Sequence, residues 1–297
     1  MSTRIEKIRE RLREKLKKLD TPEKRKNISN RLDMSTIARK FHYRTAKSNA
    51  KLVILYGPPG SGKSKYLRDA KLKTSDYVHI SIDNIIESIG IFCTQSRETS
   101  LKVFGTNGKL TKTELVQRLD KLPRGEVDKI STTYRKFAES KNSFSKTLKD
   151  KMVYIFENSI NEGKNIILEM TGTNPLWFNI LRDNMKHIKN KNYEVQFVFP
   201  VISFEQMWLQ YRMRAARQIL SSSECVRFGM FKSKAKQSYQ QSYNNFINKW
   251  GFIKNLSTNI IFLNEKGLKT EVVKTRRTHP KNVSNKLRNS EVNKTSL

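Results

Sequence analysis

Short apolar runs alternate with amphipathic stretches along most of the chain, and this alternation predicts the fold. The runs at 51–56, 77–82, 165–169, 193–202 and 259–263 are rich in apolar residues, as in strands that are buried on both faces of a parallel sheet. The segments between them have the apolar spacing of helices. We therefore expect an α/β protein of three layers, in which helices cover both faces of a parallel sheet.

Residues 88–150 interrupt this alternation. They contain no strong strand pattern, and Leu115, Leu119 and Leu122 recur there at helical spacing. A segment of this length is too long for an unstructured loop inside a compact domain, so we predict a helical insertion.

Both ends of the chain are predicted to be basic extensions. Residues 1–48 begin with an amphipathic helix pattern over 3–20 and continue as a polar linker with a short helix around Ser35–Phe41. In residues 266–297 no apolar position is periodic and basic residues prevail. This composition predicts a basic tail that is disordered in isolation.

The charge of the chain bears on its partners. Among 297 residues, 59 Lys and Arg stand against 27 Asp and Glu, which gives a net charge of +32. Such a field attracts polyanions such as nucleic acid, anionic lipid or nucleotides. The alternative is a compositional bias of the kind found in chains encoded by AT-rich genomes, and both explanations stay open.

No apolar run approaches the roughly 18 residues that a membrane span needs, and the N-terminus lacks the apolar region of a secretory signal. Cys93 and Cys225 are far apart and have no metal-like spacing. These features predict a soluble, cytoplasmic protein, or a virion-associated one if the chain is viral. They also fit a reducing compartment, without a disulfide or a zinc site.

One motif indicates specific chemistry, because it matches GxxxxGK[ST] in full and lies between a strand pattern and a helix. It consists of Gly57, Pro58, Pro59, Gly60, Ser61, Gly62, Lys63 and Ser64. The glycines allow backbone N–H groups to surround a phosphate chain, while Lys63 would contact the β- and γ-phosphates and Ser64 would bind Mg²⁺. We predict a site for ATP or GTP with Mg²⁺; the alternative is a glycine-rich turn without a ligand.

Polar residues follow the second and third strand patterns, and in an open α/β sheet these strand ends face the ligand crevice. Asp83 could accept the proton of a substrate hydroxyl or hold that hydroxyl in line with the γ-phosphate, and could at the same time cap a helix over Asn84–Ile89. Glu169 and Thr171, on one face of an extended segment, could contact a substrate or a metal-bound water. The alternative for this pair is a strand end closed by turn residues.

A group of arginines follows the fourth strand pattern, in a region that spans 204–238. Arg212, Arg214 and Arg217 come first and Arg227 lies beyond them. A mobile lid of this kind supplies cations to a transferring phosphoryl group, because the arginine fork binds phosphate oxygens in pairs. The alternative is a solvated basic face.

The remaining conspicuous side chains receive no functional role. The large apolar ones next to the site motifs are predicted to be core residues: Trp177, Phe178, Met207 and Trp208. The histidines have no metal-ligand spacing: His42, His79, His187 and His279.

The ordered set of a complete P-loop, Asp83, Glu169-x-Thr171 and an arginine-rich lid resembles the zeta-toxin group of P-loop kinases. The resemblance implies a P-loop kinase-like domain at 49–265. Such a domain transfers the γ-phosphoryl group of ATP to a hydroxyl of a small molecule, which is a nucleotide-sugar in the bacterial toxins.

The resemblance also implies roles for single residues. Asp83 would be the general base, and Glu169 and Thr171 would contact the acceptor. Arg214 and Arg227 would stabilise the transferred phosphoryl group.

The insertion and the basic extensions depart from that pattern and keep two other functions open. The chain is similar as well to the kinase module of polynucleotide 5′-kinases, which shares the P-loop, an Asp after the second strand and a lid arginine. The acceptor would then be a 5′-hydroxyl of nucleic acid. The second alternative is a non-catalytic nucleic-acid-binding or structural protein that retains the kinase fold.

Overall fold

The computed structural model of the chain describes residues 50–70, 72, 74–87, 90–104, 110–138, 143–221, 224–264 and 269–274. The helix predicted over 3–20 and the short helix around Ser35–Phe41 lie outside the described residues, as does most of the predicted tail.

One sheet of six strands forms in the described part of the chain. Its strands are β1 (Lys51–Tyr56), β2 (Val78–Ile80), β3 (Ile166–Met170), β4 (Glu194–Pro200), β5 (Asn259–Leu263) and β6 (Lys269–Lys274). The order in the sheet is β2-β3-β1-β4-β5-β6. The first five strands are parallel and β6 pairs antiparallel with β5. The predicted α/β fold with a parallel sheet is therefore confirmed.

The strand β6 corrects the prediction that residues 266–297 form a disordered tail. Its sequence KTEVVK has only two apolar residues and gives no periodic signal. It forms because the edge of β5 offers unpaired backbone groups, which β6 pairs with between Asn259 and Leu263.

The helices of the described residues lie between and around these strands. They are α1 (Lys63–Asp69), α2 (Ile82–Glu87), α3 (Gly90–Phe104), α4 (Lys112–Asp120), α5 (Arg124–Ala138), α6 (Ser143–Asn161), α7 (Leu176–Asp183), α8 (Met185–Asn190), α9 (Phe204–Leu220), α10 (Lys232–Asn248) and α11 (Trp250–Leu256). Helices α3 to α6 make up the predicted helical insertion. None of the helices in the described ranges has both the length and the apolar content needed to cross a bilayer.

The central strand β1 determines where the core lies, because five of its six residues are buried. Leu52, Ile54 and Tyr56 face a large apolar cluster that includes residues of the insertion and of α9 to α11. Val53 and Leu55 face the opposite side, where a smaller cluster contains residues of α1. Side chains that alternate between the two faces of a strand thus produce the three layers.

Tyr56 fixes the end of β1 just before the P-loop motif. Its hydroxyl donates to the carbonyl oxygen of Ser242 at 2.8 Å and lies 3.3 Å from that of Gly172. Burial raises the pKa of Tyr56, so the hydroxyl keeps its proton and remains a donor. Four rings lie within 6 Å of the Tyr56 ring: Phe178, Phe197, Phe199 and Phe246.

A disulfide joins Cys93 of α3 to Cys225, in the segment between α9 and α10, and corrects the expectation of two unpaired cysteines. The two Cα atoms are 4.5 Å apart although 132 positions separate them along the chain. Sequence spacing gave no indication of this pairing, because it depends on the insertion folding back onto the segment that follows α9.

Gly172 provides a test of the packing around Tyr56. Its φ is +79°, and a Cβ at this position would lie 2.4 Å from both the Tyr56 ring and the Ser242 hydroxyl. We expect Gly172→Ala to lower the free energy of unfolding by about 2–4 kcal/mol, because overpacking adds to backbone strain. Urea unfolding measures this change.

Gly163→Ala is the matched control. Gly163 also has a positive φ, of +66°, but no atom lies within 4 Å of the position that an added Cβ would take. Backbone strain alone then costs about 1–2 kcal/mol. A loss at Gly172 no larger than the loss at Gly163 would contradict the packing described around Tyr56.

Candidate functional site

The segment Gly57–Ser64 connects β1 to α1, as the motif predicts. Gly57, Gly60 and Gly62 all have positive φ, at +139°, +84° and +93°. The Gly57 N–H donates to the carbonyl oxygen of Met170 at 3.0 Å, which fixes the loop to the end of β3. A bent, glycine-rich loop at the carboxyl end of a central strand has the form of a phosphate-binding cradle.

Two serines of the loop bear on whether a nucleotide and its metal ion would fit. The Ser61 hydroxyl is buried and has no hydrogen-bond partner among the described residues. A buried hydroxyl without a partner is costly unless a ligand supplies one. Ser64 is exposed at the first turn of α1. The loop therefore fits a phosphate chain with a metal ion at Ser64.

Helix α9 covers the loop at very close range. A Cβ on Gly60 would lie 2.7 Å from the Met207 carbonyl oxygen and 2.9 Å from the Cβ of Tyr211, so only glycine allows this approach. The Tyr211 hydroxyl accepts a hydrogen bond from the Gly229 N–H at 2.9 Å. Tyr211 thus connects the loop to the segment between α9 and α10, a role that no sequence signal indicated.

Lys63 is almost fully buried in the loop. Its ammonium group donates to the carbonyl oxygens of Gly57 at 2.6 Å and Pro58 at 3.0 Å. Burial lowers the pKa of Lys63 to about 8, although the charges of Glu169 and Asp83 act in the opposite direction. The side chain is thereby placed where terminal phosphates would replace the two carbonyl oxygens as its partners.

Glu169 lies at the end of β3 and faces the same space. Its carboxylate accepts a hydrogen bond from the His79 ring at 2.9 Å. Burial alone would raise the pKa of Glu169, but the hydrogen bond from His79 and the charge of Lys63 outweigh it and the pKa is lowered. Thr171, beyond the end of the strand, has its hydroxyl 3.0 Å from that of Thr173.

Asp83 lies in the first turn of α2, which begins at Ile82. The predicted cap before a helix over Asn84–Ile89 is therefore wrong, because the helix starts earlier than the sequence suggested. Asp83 forms an ion pair with Arg227 at 2.9 Å. Arg227 also contacts Glu87, so its guanidinium bridges two carboxylates of α2.

The four candidate arginines have different environments. Arg214 lies 5.3 Å from the centroid of the Tyr211 ring and, with Arg227, lines the cavity described below. Arg212 instead donates to the Val116 carbonyl oxygen at 3.0 Å and so holds α4 against α9. Arg217 is exposed and pairs with Glu224. The structure brings Arg214 and Arg227 to the site, but not the other two.

A cavity of about 410 Å³ is lined by six of the predicted site residues. They are Pro59, Asp83, Glu169, Thr171, Arg214 and Arg227. Helices α6 and α7 contribute part of the remaining wall, and Lys63 and Ser64 do not line the cavity.

Several residues of that wall were not predicted to belong to a site, among them Lys149 of α6 and Trp177 of α7. Trp177 is half-buried and packs against the large apolar cluster, as predicted, while it also lines the cavity. The helical spacing of Trp177 suggested an inward-facing side chain, and the sequence did not show that the inner face borders a cavity. The other three predicted core residues are buried: Phe178, Met207 and Trp208.

Comparison with known proteins supports the fold. A solved structure from the PezAT chromosomal toxin–antitoxin system of the human pathogen Streptococcus pneumoniae is similar to this chain, with a TM-score of 0.50 and 17% sequence identity. The similarity covers 90% of this chain and 88% of that one. No family model matches the chain, and no curated protein matches its sequence.

At this level of identity the likeness concerns the fold alone. The chain shares with that structure an α/β fold, in which the P-loop motif of this chain follows the central strand β1, as the sequence predicted.

The lowered pKa of Lys63 makes phosphate binding dependent on pH. Near pH 8 part of the free protein has a neutral Lys63, whereas bound phosphates favour the charged form. We expect nucleotide affinity to fall as the pH rises from 7 to 9 and binding to take up protons near pH 8. Calorimetry in two buffers of different ionisation enthalpy measures the uptake.

The control for this measurement is Lys63→Ala, which lacks the titrating group. Its weak residual binding should show neither the proton uptake nor the loss of affinity above pH 8. Equal proton uptake by both proteins would show that Lys63 is not the group that titrates.

Proposed function

We propose that this protein is an ATP-dependent phosphotransferase that phosphorylates a hydroxyl of a small molecule. The observation that supports it most is that one cavity is lined by Pro59 of the P-loop, two carboxylates, the hydroxyl-bearing Thr171 and two arginines, Arg214 and Arg227. This set of groups is what in-line transfer of a phosphoryl group requires.

The reaction assigns each group a role. The P-loop and Lys63 bind the terminal phosphates, and Ser64 holds Mg²⁺, which neutralises phosphate charge when bound. Asp83 accepts the proton of the acceptor hydroxyl while that oxygen bonds to the γ-phosphorus. The bond from the γ-phosphorus to the bridging oxygen breaks, and the nucleoside diphosphate leaves. Glu169 and Thr171 hold the acceptor.

Arg227 has to change partners during this reaction. In the structure its guanidinium forms an ion pair with Asp83, 2.9 Å from one carboxylate oxygen. A transferring phosphoryl group offers it oxygens that develop more charge in the transition state. We infer that Arg227 moves from Asp83 to the phosphoryl group, which frees Asp83 to act as the base. Arg214 lines the same cavity and would be a second cation for the transferring phosphoryl group.

The cavity favours a small acceptor over a polynucleotide. Its volume of about 410 Å³ matches pockets for small molecules, and apolar side chains of α6 and α7 form much of its wall. The net charge of +32 speaks for the polynucleotide alternative. The acceptor test therefore includes both classes. The same charge also fits the non-catalytic nucleic-acid-binding alternative, against which stands the convergence of Asp83, Glu169, Arg214 and Arg227 on one cavity.

Transfer from γ-labelled ATP to a panel of acceptors tests the proposal. The panel contains sugars, nucleosides, nucleotide-sugars and a 5′-hydroxyl oligonucleotide. We expect labelled product with a small acceptor, and a loss of about 10²–10⁴-fold in kcat for Asp83→Asn and Arg227→Ala, since each removes a group that acts in the transition state.

Arg217→Ala is the matched control, because Arg217 belongs to the same region but pairs with Glu224 at the surface. It should retain near wild-type transfer. Label on the oligonucleotide alone would replace the small acceptor by a polynucleotide. No transfer to any acceptor, or equal rates for wild type and Asp83→Asn, would contradict the proposed function.

A further inference from the structure

The carboxylate of Glu169 is the end of a short chain of hydrogen bonds that begins at the surface. The Asn84 amide nitrogen lies 3.2 Å from Nδ1 of His79, and Nε2 of His79 lies 2.9 Å from Oε1 of Glu169. Asn84 belongs to α2 and directly follows Asp83 in the sequence. Two elements of the site, α2 and β3, are therefore linked through one imidazole ring on β2.

The sheet explains why these side chains meet. Strands β2 and β3 are parallel neighbours, and His79 is opposite Ile167 in the register. Paired residues of a parallel sheet point to the same side, and Glu169 follows Ile167 by two positions. His79 and Glu169 therefore share the face on which Ile167 packs against the cluster that contains α1.

Two contacts agree on which ring nitrogen of His79 has the hydrogen. The Glu169 carboxylate can only accept, so Nε2 has to be the donor, and the Asn84 amide nitrogen beside Nδ1 matches an acceptor there. A neutral imidazole with an accepting Nδ1 has its hydrogen on Nε2, the atom that faces Glu169. The ring then donates to Oε1 and leaves Oε2 of the carboxylate for other partners.

The side chains of His79 and Glu169 are mostly buried, each 19% exposed, so the hydrogen bond between them replaces water that neither can fully reach. The ring donates to one carboxylate oxygen and does not itself line the cavity. The charged groups that act on Glu169 from the other elements are Lys63 of α1 and Asp83 of α2.

We propose that His79, held in one tautomer between Asn84 and Glu169, is a positioning residue that orients the Glu169 carboxylate toward the acceptor. The effect of His79 on phosphoryl transfer rests on the proposed function, whereas the tautomer of His79 can be tested without it. His79 touches neither acceptor nor nucleotide; it acts through Glu169. Asn84 orients the His79 ring and the ring orients the carboxylate, and no proton has to move for this.

Nitrogen NMR of the histidine rings tests the tautomer without any turnover. In ¹⁵N-histidine-labelled protein, the His79 signals are assigned by their loss in His79→Gln. We expect the Nε2–H tautomer in the wild type and a mixture of tautomers in the double variant Asn84→Ala/Glu169→Ala, which lacks both contacts of the ring. An Nδ1–H tautomer in the wild type, or identical His79 spectra for the wild type and the double variant, would overturn the inference even if the enzyme is active.

Kinetics with the acceptor that the transfer assay identifies test the consequence for Glu169. His79→Phe removes the donor, and we expect kcat/KM to fall by about tenfold or more, as for loss of a hydrogen bond to a charged group. The acid limb of the pH–rate profile should move to higher pH, because burial then raises the pKa of Glu169 with less opposition. His79→Gln, whose amide keeps a donor near the position of Nε2, should restore most of both effects.

Glu169→Gln completes the set of variants. In that background His79→Phe should cause little further loss, since the group on which His79 acts has gone. Full additivity of the two losses, or an unchanged acid limb in His79→Phe, would overturn the positioning role. If the wild type transfers no phosphoryl group, the proposed function fails, whereas the NMR result still decides whether Asn84 and Glu169 fix the tautomer of His79.

Discussion

The structure of the site depends on one constraint: the ammonium group of Lys63 is buried beyond the carboxyl end of the central strand β1. A buried charge requires hydrogen-bond partners and compensating charges nearby. Two loop carbonyl oxygens provide the partners, and the carboxylates of Glu169 and Asp83 provide the charge. Each carboxylate has its own cationic or donor partner in turn, Arg227 for Asp83 and His79 for Glu169. The charge of one buried lysine is thus compensated by hydrogen bonds and by two paired carboxylates. Phosphates that bind there would replace the two carbonyl oxygens as partners of Lys63.

Much of the fold could be predicted because its signals are local. Apolar runs identified all five parallel strands, and a full GxxxxGK[ST] motif placed the loop after β1. The prediction was wrong where structure depends on distant partners. Strand β6 has almost no apolar pattern and forms on the edge of β5. The pairing of Cys93 with Cys225 requires the fold of the whole insertion.

The candidate site shows the same division. Asp83 and Glu169 follow strands at the sheet edge, so topology alone predicted that they meet. Composition and spacing did not distinguish the four arginines, since Arg212 and Arg214 are two positions apart on one helix and have different neighbours. Only the family resemblance singled out Arg214 and Arg227, the two that line the cavity. His79 and Tyr211 were missed because the role of a single histidine or tyrosine depends on its contacts, which the sequence does not show. His79 contacts Glu169, and Tyr211 contacts Gly60 and Gly229.

The bond between Cys93 and Cys225 has a topological consequence. It closes a covalent ring that contains β3 and β4 but leaves β1, β2 and β5 outside. Since β1 pairs with both β3 and β4, strands of the ring and strands of the flanking chain are interleaved in one sheet. A protease that cuts once within the ring, for example between α5 and α6, would leave both products in a single molecule. Such a nicked protein would separate into fragments on a denaturing gel only after a thiol reductant has cleaved the disulfide that still joins them.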